Sequence, residues 1–346
     1  MKAIAITGHG GIEQVQYMDV ERPQIGPREV LVETRAAALN HLDIWVRNGL
    51  PGSKLAMPHV LGADGAGVVA EVGAEVNDVT LGDRVLINPA LHCGTCEFCH
   101  AGEQSLCTTF GIMGETRPGT FAEYFKVPQD NVHPVPEGFS WEEAAALPLV
   151  FVTAWRMLIS KAHIKPGEDI LILGIGGGVS TAVLQIVKAI GLRAFVTSSS
   201  DEKLQQATKL GADAVINYTT QDFGREVRTL TQRRGVDVVV DSVGGESYAK
   251  SLGSLVKGGR LVTCGATAGP RPHTDLGRIF WNQLSVFGST MGNLREFAEM
   301  LNFVRQGGVR PVIDQVFPFA DGAKALARME EGKQFGKIVL KVGTEA

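Results

Sequence analysis

Four of the five cysteines in this chain of 346 residues lie close together, between positions 93 and 107. They are Cys93, Cys96, Cys99 and Cys107, with the spacing C-x2-C-x2-C-x7-C. Four thiolates on one loop can bind a Zn²⁺ ion tetrahedrally, and a site closed by four sulfurs leaves no position for a substrate. We therefore predict a structural zinc ion that folds a lobe at residues 92–108, with disulfides or an iron–sulfur cluster as the alternatives.

A second stretch suited to chemistry is the glycine-rich turn at residues 174–178. The apolar run Ile170–Leu173 before it predicts a buried strand, and Thr181–Ile190 after it places apolar residues on one face of a helix. A strand, a glycine turn and a helix together direct backbone N–H groups and a helix N-terminus at a phosphate. The candidate contacts to a bound dinucleotide in this turn are Gly176, Gly177, Gly178 and Val179.

The turn departs from the usual dinucleotide fingerprint, because Ser180 stands where a glycine normally lets the helix approach the strand. A glycine-rich turn in an unrelated α/β protein is therefore one alternative. A membrane span is another, since residues 170–187 carry no charge. The glycines at the centre of that segment, and the lack of a second such segment in the sequence, argue against a span.

The pattern around the turn favours the dinucleotide-binding interpretation. From position 169 onward, short apolar runs alternate with helical segments, as in the βαβ units of a doubly wound parallel sheet. Before position 130 the chain is rich in turns and short strands, which indicates an irregular β domain. We expect the strands of the parallel sheet at Ile170–Leu173, Arg193–Thr197, Ala214–Ile216, Val236–Val240, Arg260–Cys264 and Leu284–Gly288.

The residues after the second of these strands bear on the choice of cofactor. An acidic side chain there would bind the ribose hydroxyls of NAD and would repel a 2′-phosphate. Here the strand is followed by neutral Ser198, by two further serines, by Asp201 and Glu202, and then by Lys203. Because hydroxyl groups and an ammonium group suit a phosphate dianion, we predict NADP(H) as the cofactor. The alternative is that the serines only cap the following helix.

Composition and charge exclude several other classes of protein. The formal net charge is −4, so the chain has no basic field for nucleic acid or for an acidic membrane. The first residues lack the apolar core of a secretory signal, and we expect a cytoplasmic protein. The length exceeds that of a typical single domain, so we expect more than one.

The sequence resembles the medium-chain dehydrogenase/reductase superfamily, which includes the zinc alcohol dehydrogenases and the quinone oxidoreductases. The resemblance spans essentially the whole chain. Beside the four cysteines and the glycine turn, it is carried by GADGAGVVAEVG at residues 62–73, LGDRV at 81–85 and Gly-Ser-Thr at 288–290. It implies a homodimer or homotetramer that pairs through the last Rossmann strand and acts on a small carbonyl or quinone molecule.

The resemblance also implies an α/β fold with two parts. These are a GroES-like, β-rich catalytic domain and a doubly wound parallel (Rossmann) domain that binds the cofactor. The expected bounds are 1–150 for the catalytic domain, 151–288 for the Rossmann domain and 289–346 for a segment that returns to the catalytic domain.

The chain departs from the zinc alcohol dehydrogenases at the positions that hold their catalytic zinc. In that family the ligands are a cysteine, the histidine of a Gly-His-Glu triplet and a third Cys, His or Asp. Here these positions carry Asn40, Ala63 and Leu149, which cannot hold Zn²⁺. The proton-relay hydroxyl of the family is replaced by Leu42. We therefore predict that the catalytic zinc is absent; the alternative is a replacement site built from His41, Asp43, His59 and Asp64.

Loss of the catalytic zinc ion limits the types of substrate that the protein can oxidise or reduce. Oxidation of a simple alcohol needs a group that stabilises the alkoxide, as Zn²⁺ does. Reduction of a quinone or of an α,β-unsaturated carbonyl needs less help, because hydrogen bonds can stabilise the hydroquinone or enolate anion. We therefore expect direct hydride transfer from NADPH to such a substrate. An alcohol dehydrogenase with atypical zinc ligands and a non-catalytic dinucleotide-binding regulator are the alternatives.

The candidate catalytic residues are Asn40, Asp43 and Asp64, where the Asn-x-x-Asp pattern resembles that of the zinc-independent quinone oxidoreductases. We expect Asn40 to donate to the developing oxyanion. Asp43 would orient Asn40 or belong to a proton path. The alternative is that the two side chains form a structural hydrogen-bonded pair.

The remaining candidates follow from the resemblance. His41 occupies a position that faces the cofactor pyrophosphate, Tyr218 matches a tyrosine near the 2′-phosphate, and Thr153 is expected under the nicotinamide ring. Trp45 lines the substrate pocket or belongs to the core, and Cys264 is expected to be a small core residue. Further cofactor contacts are expected at the strand ends, at Ser242, Gly265, Ala266, Ser289 and Thr290.

Overall fold

The computed structural model describes residues 1–52 and 54–343, which form two units. The first unit contains Met1–Leu149 and Asn293–Ala346, and the second contains Val150–Gly292. The chain therefore leaves the first unit beside the expected position 150 and returns to it four residues after the expected position 288. No helix in the described part of the chain has the length and apolar composition to cross a bilayer.

The second unit is built on a six-stranded sheet in which all neighbouring strands are parallel. The third, second and first strands in chain order are followed across the sheet by the fourth, fifth and sixth, which is the doubly wound order. This confirms the expected Rossmann fold. Across the sheet, the strands are Ala214–Asn217, Arg193–Ser198, Asp169–Ile172, Val236–Asp241, Leu255–Thr263 and Ser285–Gly288.

Helices connect these strands and cover the sheet. Because the strands are apolar on both faces, for example at Leu171 and Val239, they need helices on both sides to bury them. The helices are Pro148–Trp155, Gly178–Ala189, Asp201–Lys209, Phe223–Leu230, Ser247–Ser254 and Leu276–Trp281, with a π-helical turn at Arg156–Lys161.

Two elements of this unit differ from the sequence-based expectation. The fifth strand begins at Leu255 and ends at Thr263, so Cys264 lies just after it and not inside it. The helix after the glycine turn begins at Gly178, three residues before the expected start. Cys264 is half-buried, and desolvation raises the pKa of its thiol to about 12, which argues against a reactive thiolate at neutral pH.

The first unit is built on a seven-stranded, mostly antiparallel sheet. Its long central strand, Glu29–Ala38, lies between Asp64–Val72 and Lys337–Lys341. The remaining strands of this sheet are Arg84–Ile87, Tyr124–Pro128, Val132–Pro134 and Ile313–Pro318. A three-stranded sheet is formed by Lys2–Ile6, Val15–Asp19 and His59–Val60, and a short pair by Ala90–Leu91 and Gly111–Ile112.

Short helices close this unit around the sheets. The α-helices are His41–Asn48, Glu97–His100, Trp141–Ala146, Leu294–Arg305 and Gly322–Glu330, and the 3₁₀ turns are Ile12–Gln14, Gln104–Leu106, Gln129–Asn131 and Phe319–Asp321. The register of the central strand sets the position of the candidate site, because Ala38 pairs with Asp64 on one side and with Val339 on the other. The polar residues that follow Ala38 therefore lie between the start of the strand Asp64–Val72 and the start of the strand Lys337–Lys341.

Candidate functional site

The helix His41–Asn48 begins at Asn40, directly after the central strand, and Asp43 fixes this corner. One carboxylate oxygen of Asp43 accepts a hydrogen bond from the backbone N–H of Asn40 at 2.7 Å, and the other accepts from Gly62 N–H at 3.1 Å. Asp43 is fully buried, and the loss of hydration raises the pKa of its carboxyl to about 7. This carboxyl is therefore partly protonated near neutral pH.

A second buried carboxylate, that of Asp64, lies beside the same corner. Its Oδ2 accepts from Asn40 Nδ2 at 2.9 Å and from Lys337 Nζ at 2.9 Å, while its Oδ1 accepts from Leu149 N–H at 2.9 Å. The Thr120 hydroxyl donates to the backbone oxygen of Asp64 at 2.7 Å. Every oxygen of Asp64 therefore has a partner, which is what a buried charge requires.

Lys337 completes this group, and the sequence analysis did not identify it. Its ammonium group donates three short hydrogen bonds, to Leu39 O at 2.7 Å, to Asn40 Oδ1 at 2.6 Å and to Asp64 Oδ2 at 2.9 Å. The side chain is only 4% exposed. The available signal was a lysine at the start of the apolar strand 337–341, but such a residue is normally a solvent-exposed strand end. We call Asn40, Asp43, Asp64 and Lys337 the polar corner.

The four cysteines of the predicted zinc lobe converge in the structure. Their sulfur atoms lie within 4.8 Å of one another, and no other group of three or more His, Cys, Asp or Glu side chains in the described residues does so. Cys93 Sγ and Cys99 Sγ are 3.9 Å apart, close to the ~3.8 Å edge of a tetrahedron with Zn–S bonds of about 2.3 Å. The donor set and its spacing therefore fit a structural Zn²⁺ ion.

Local backbone geometry prepares this lobe for thiolates. Backbone N–H groups of Thr95 and Cys96 donate to Cys93 Sγ at 3.4 and 3.3 Å, and these hydrogen bonds lower the pKa of Cys93 to about 5. Burial raises the pKa of Cys99 to about 12, so this thiol needs a metal cation to become a thiolate at neutral pH. Cys264, the fifth cysteine, lies in the second unit and outside this group.

The glycine turn of the second unit accommodates a serine at the position where a glycine is usual. Ser180 Oγ donates to Gly174 O at 3.0 Å and to Gly177 O at 2.9 Å, so the hydroxyl is satisfied inside the turn. Gly176 has φ +115°, which would strain a residue with a side chain, and a Cβ there would lie 2.8 Å from Lys203 Cδ. Gly178 then begins the helix. The turn and Lys203 are thus adjacent.

The serines at the end of the second strand make local hydrogen bonds in the structure. Ser200 Oγ accepts from Lys203 N–H at 3.3 Å and caps the helix Asp201–Lys209, as the alternative stated. Ser198 Oγ accepts from Ser200 N–H at 3.2 Å, and its backbone oxygen accepts from Tyr218 N–H. Tyr218 is half exposed beside this strand end. The groups proposed for a 2′-phosphate are therefore brought together.

The other predicted cofactor contacts of this unit lie at the same edge of the sheet. Ser242, Gly265 and Ala266 follow the fourth and fifth strands, and Ser289 and Thr290 follow the sixth. The Ser289 hydroxyl is buried and has no hydrogen-bond partner in the described residues. Thr153 is buried, and its hydroxyl donates to Met291 Sδ at 3.8 Å. In the first unit, His41 is exposed at the start of its helix, next to partly exposed Trp45.

Comparison with known proteins identifies the family. Residues 26–137 match the family model "Alcohol dehydrogenase GroES-like domain", and residues 178–306 match "Zinc-binding dehydrogenase". A zinc-type alcohol dehydrogenase-like protein of Schizosaccharomyces pombe is 35% identical over 340 residues, covering 96% of each chain. The chain belongs to the zinc-type medium-chain dehydrogenase/reductase superfamily. It is accordingly an oxidoreductase of the NAD(P)H-dependent kind.

Two solved structures resemble this dehydrogenase over nearly its full length. One, described as an NAD-dependent alcohol dehydrogenase, is 45% identical with a TM-score of 0.95 and covers 99% of this chain and 100% of its own. The other, a crotonyl-CoA carboxylase/reductase, is 29% identical with a TM-score of 0.94 and covers 100% of this chain and 89% of its own. The superfamily therefore includes relatives with different reactions on one fold.

In this dehydrogenase the donor set at the family's catalytic metal position does not fit Zn²⁺. Ala63 and Leu149 offer no side-chain donor, and the amide of Asn40 already binds Lys337 and Asp64. The suggested replacement set is not assembled either, because His41, Asp43, His59 and Asp64 form no metal-binding group among the described residues. His59 Nε2 instead lies 3.0 Å from Gly114 O. The replacement site considered from the sequence is therefore wrong.

The expected role of Asn40 as an oxyanion donor also differs from what the structure shows. Its Nδ2 donates to Asp64 Oδ2 at 2.9 Å and approaches Ala38 O at 3.4 Å, so both amide hydrogens point into the protein. Asn40 thus links the ammonium group of Lys337 to the carboxylate of Asp64. Asn40 pairs with Asp43 through its backbone N–H, which donates to the Asp43 carboxylate at 2.7 Å.

Proposed function

We propose that this dehydrogenase reduces quinones or α,β-unsaturated carbonyl compounds with NADPH and without a catalytic zinc ion. The observation that supports the proposal is the polar corner. The donors near the family's metal position are joined in a closed network around the Lys337 ammonium group, with Asp64 as its counter-ion. The ammonium group of Lys337, a cation that belongs to the chain, already neutralises the Asp64 carboxylate.

The substrate class follows from what such a network can and cannot do. Without a Lewis acid, an alkoxide formed from a simple alcohol has no strong stabilising partner. A conjugated carbonyl or a quinone is electron-poor at the carbon that accepts hydride, and its anion is delocalised. When bound, NADPH supplies that hydride. The chain then has to orient the substrate and to deliver one proton.

We assign the proton path to Asp43 and the positioning of this corner to Lys337 and Asn40. Asp43 has a pKa of about 7, so its carboxyl is partly protonated at the pH of a cell. Lys337 and Asn40 fix Asp64 and the start of the helix that carries Asp43. Loss of this fixation would move the helix start and with it the proton donor.

The preference for NADPH is supported by the charges and hydroxyls at the end of the second strand. Lys203 lies against Gly176, and Ser198 and Tyr218 lie beside the same strand end. The nearby carboxylate of Asp201 accepts a hydrogen bond from Asn217 Nδ2 at 2.7 Å and is thereby held in place. Because a solved relative is described as NAD-dependent, NADH is the necessary comparison.

The decisive experiment combines zinc analysis with an activity panel. Protein purified without added metal or chelator should contain one zinc ion per chain and should oxidise NADPH with 1,4-benzoquinone or crotonaldehyde. It should show no comparable activity with ethanol or 2-propanol and NADP⁺. Two zinc ions per chain with alcohol oxidation would instead establish a zinc alcohol dehydrogenase. Tight binding of NADPH without turnover on any acceptor would establish a regulator.

We further propose that the protein forms a homodimer through the edge of the parallel sheet. The strand Ser285–Gly288 is at the edge of that sheet, and an unpaired edge favours pairing with another strand. The helix just before it exposes Leu276, Phe280 and Trp281, each at least 70% accessible. Large apolar side chains exposed together beside an open edge support an interface between two copies.

A further inference from the structure

A groove of about 710 Å³ in the second unit is used neither by the cofactor edge nor by the zinc lobe. It lies along the helix Phe223–Leu230 and the turn that leads into the strand Val236–Asp241. That turn enters the strand at its amino end, whereas a doubly wound sheet binds its dinucleotide at the carboxyl ends. The groove is lined by Arg225, Arg228, Thr229, Gln232 and Arg233.

The charges in this groove are of one sign and lack counter-ions. Among the described residues, no carboxylate lies within 4.0 Å of the guanidinium groups of Arg225, Arg228 or Arg233. Arg228 donates to one backbone oxygen, that of Gly253, at 2.8 Å. The next arginine, Arg234, shows the contrast, because it forms a bidentate ion pair with Asp237. The three groove arginines are therefore available to an external anion.

Local helix energetics do not account for this arrangement. Arg225 lies in the first turn of its helix, where the macrodipole disfavours a cation. Arg225 and Arg228 are three positions apart and face each other with like charge, which also opposes helix formation. Only Arg228, in the last turn, benefits from the dipole. The cation in the first turn and the like-charged pair Arg225 and Arg228 therefore both destabilise this short helix.

The turn after the helix adds backbone strain at the same place. Gln232 has φ 52° and Arg233 has φ 69°, so two consecutive residues with side chains adopt the left-handed conformation that favours glycine. Both residues line the groove. The turn ends the helix, since Arg233 N–H donates to Arg228 O, and glycine is the residue that usually occupies such a left-handed position. Here the strained residues extend the row of donors begun by Arg225 and Arg228.

We propose that this groove binds a small polyanion that carries two adjacent phosphate groups. Guanidinium groups bind phosphate oxygens through paired hydrogen bonds, and three of them can neutralise a diphosphate. The volume falls within the range of small-molecule sites. The net charge of −4 disfavours a nucleic acid as the occupant. The diphosphate of a free metabolite is the chemistry that fits.

Inorganic pyrophosphate is the probe, titrated calorimetrically into the full chain saturated with its dinucleotide so that the cofactor's own phosphate contacts are occupied. We expect one pyrophosphate per chain, with an affinity that falls as salt is added. Arg225→Gln with Arg228→Gln should weaken it at least about tenfold. The matched control, Lys209→Gln with Lys257→Gln, removes two exposed cations from the same unit and should leave the affinity unchanged. No binding, or equal weakening in both variants, would overturn the proposal.

A second test uses the strained turn. Arg233→Gly should raise the melting temperature by about 2 °C while it weakens pyrophosphate binding, because glycine relieves the strain and removes the guanidinium group. Gln232→Gly should raise the melting temperature similarly and leave most of the affinity. If the Arg233→Gly variant binds pyrophosphate as tightly as the unaltered chain, the strained turn has no role in binding. That result would contradict the assignment of the groove as a diphosphate site.

Discussion

The ammonium nitrogen of Lys337 lies 2.9 Å from Asp64 Oδ2, although the two residues are 273 positions apart in the chain. Both side chains are buried, at 4% and 0% exposure. Asn40 bridges them, since its amide accepts from the lysine and donates to the aspartate. The last strand of the chain therefore supplies the cation of the polar corner, and the first half supplies its anion.

Replacement of Lys337 with methionine should lower the free energy of unfolding of the first unit by about 3–5 kcal/mol, because Asp64 would be left as an unpaired buried charge. Urea denaturation, followed by intrinsic fluorescence, measures this loss. The double variant Lys337→Met with Asp64→Asn should lose less, since it also removes the orphaned charge. A double variant that loses more than the single one would show that the pair is not coupled as described.

The raised pKa of Asp43 should make stability fall with rising pH. Below about pH 4 the carboxyl is protonated in both states, so Asp43 contributes no pH dependence there. Between about pH 4 and 7 the unfolded chain loses this proton while the folded chain keeps it, so the free energy of unfolding decreases. The full change is on the order of 4 kcal/mol, set mainly by burial and increased by the charge of Asp64.

The measurement for Asp43 is urea denaturation at pH 4.5 and at pH 8, compared with Asp43→Asn. The variant cannot titrate at this position, so its stability should change less between the two pH values. Activity should show the same group, with an apparent pKa near 7 in the pH profile of kcat that Asp43→Asn abolishes. Parallel pH profiles of stability for the two proteins would contradict the assignment.

Zinc should be bound by the lobe alone. Cys99→Ser should reduce the zinc content from one ion per chain towards zero and should destabilise the lobe, since its sulfur lies 3.9 Å from Cys93 Sγ in the tetrahedral cluster. Cys264→Ser is the matched control and should retain the zinc, because this thiol lies outside the cluster. Elemental analysis measures the zinc content per chain. Zinc retained in the Cys99→Ser variant would refute binding by the cysteine lobe.

Lys203 should determine the preference for NADPH. Lys203→Glu places a negative charge beside Gly176, where we expect the 2′-phosphate, and should raise the KM for NADPH at least about tenfold. The KM for NADH should change much less. Lys209→Glu, on the exposed end of the same helix, should leave both constants in place. Equal effects of Lys203→Glu on the two cofactors would remove the support for NADP specificity.

The proposed dimer depends on the apolar side chains beside the edge strand. Phe280→Ser with Trp281→Ser should convert the dimer to a monomer, because it removes two large side chains that are 70% and 75% exposed in the single chain. Light scattering after size exclusion gives the mass directly. Leu81→Ser changes an apolar residue that is 66% exposed in the other unit, and it should leave the mass unchanged. If the unaltered protein has the mass of a monomer, the proposed homodimer is wrong.

Local patterns accounted for much of this protein from its sequence. The cysteine spacing predicted the cluster, because ligands on one loop are already close along the chain. The alternation of apolar runs and helical segments predicted the parallel sheet, since each βαβ unit is a local structure. The loss of the family's zinc ligands at Asn40, Ala63 and Leu149 was also visible without a structure.

Tertiary structure decided what depends on distant contacts. No local pattern shows that Lys337 reaches Asn40 and Asp64, because strand pairing between 29–38 and 337–341 brings them together. The same holds for Ser180, whose fit in the glycine turn depends on two backbone oxygens that only the folded turn presents. The burial of a side chain is also decided by the tertiary structure. The carboxyl of Asp43 acquires its raised pKa from desolvation by the surrounding protein, and a sequence does not specify which side chains lose their water.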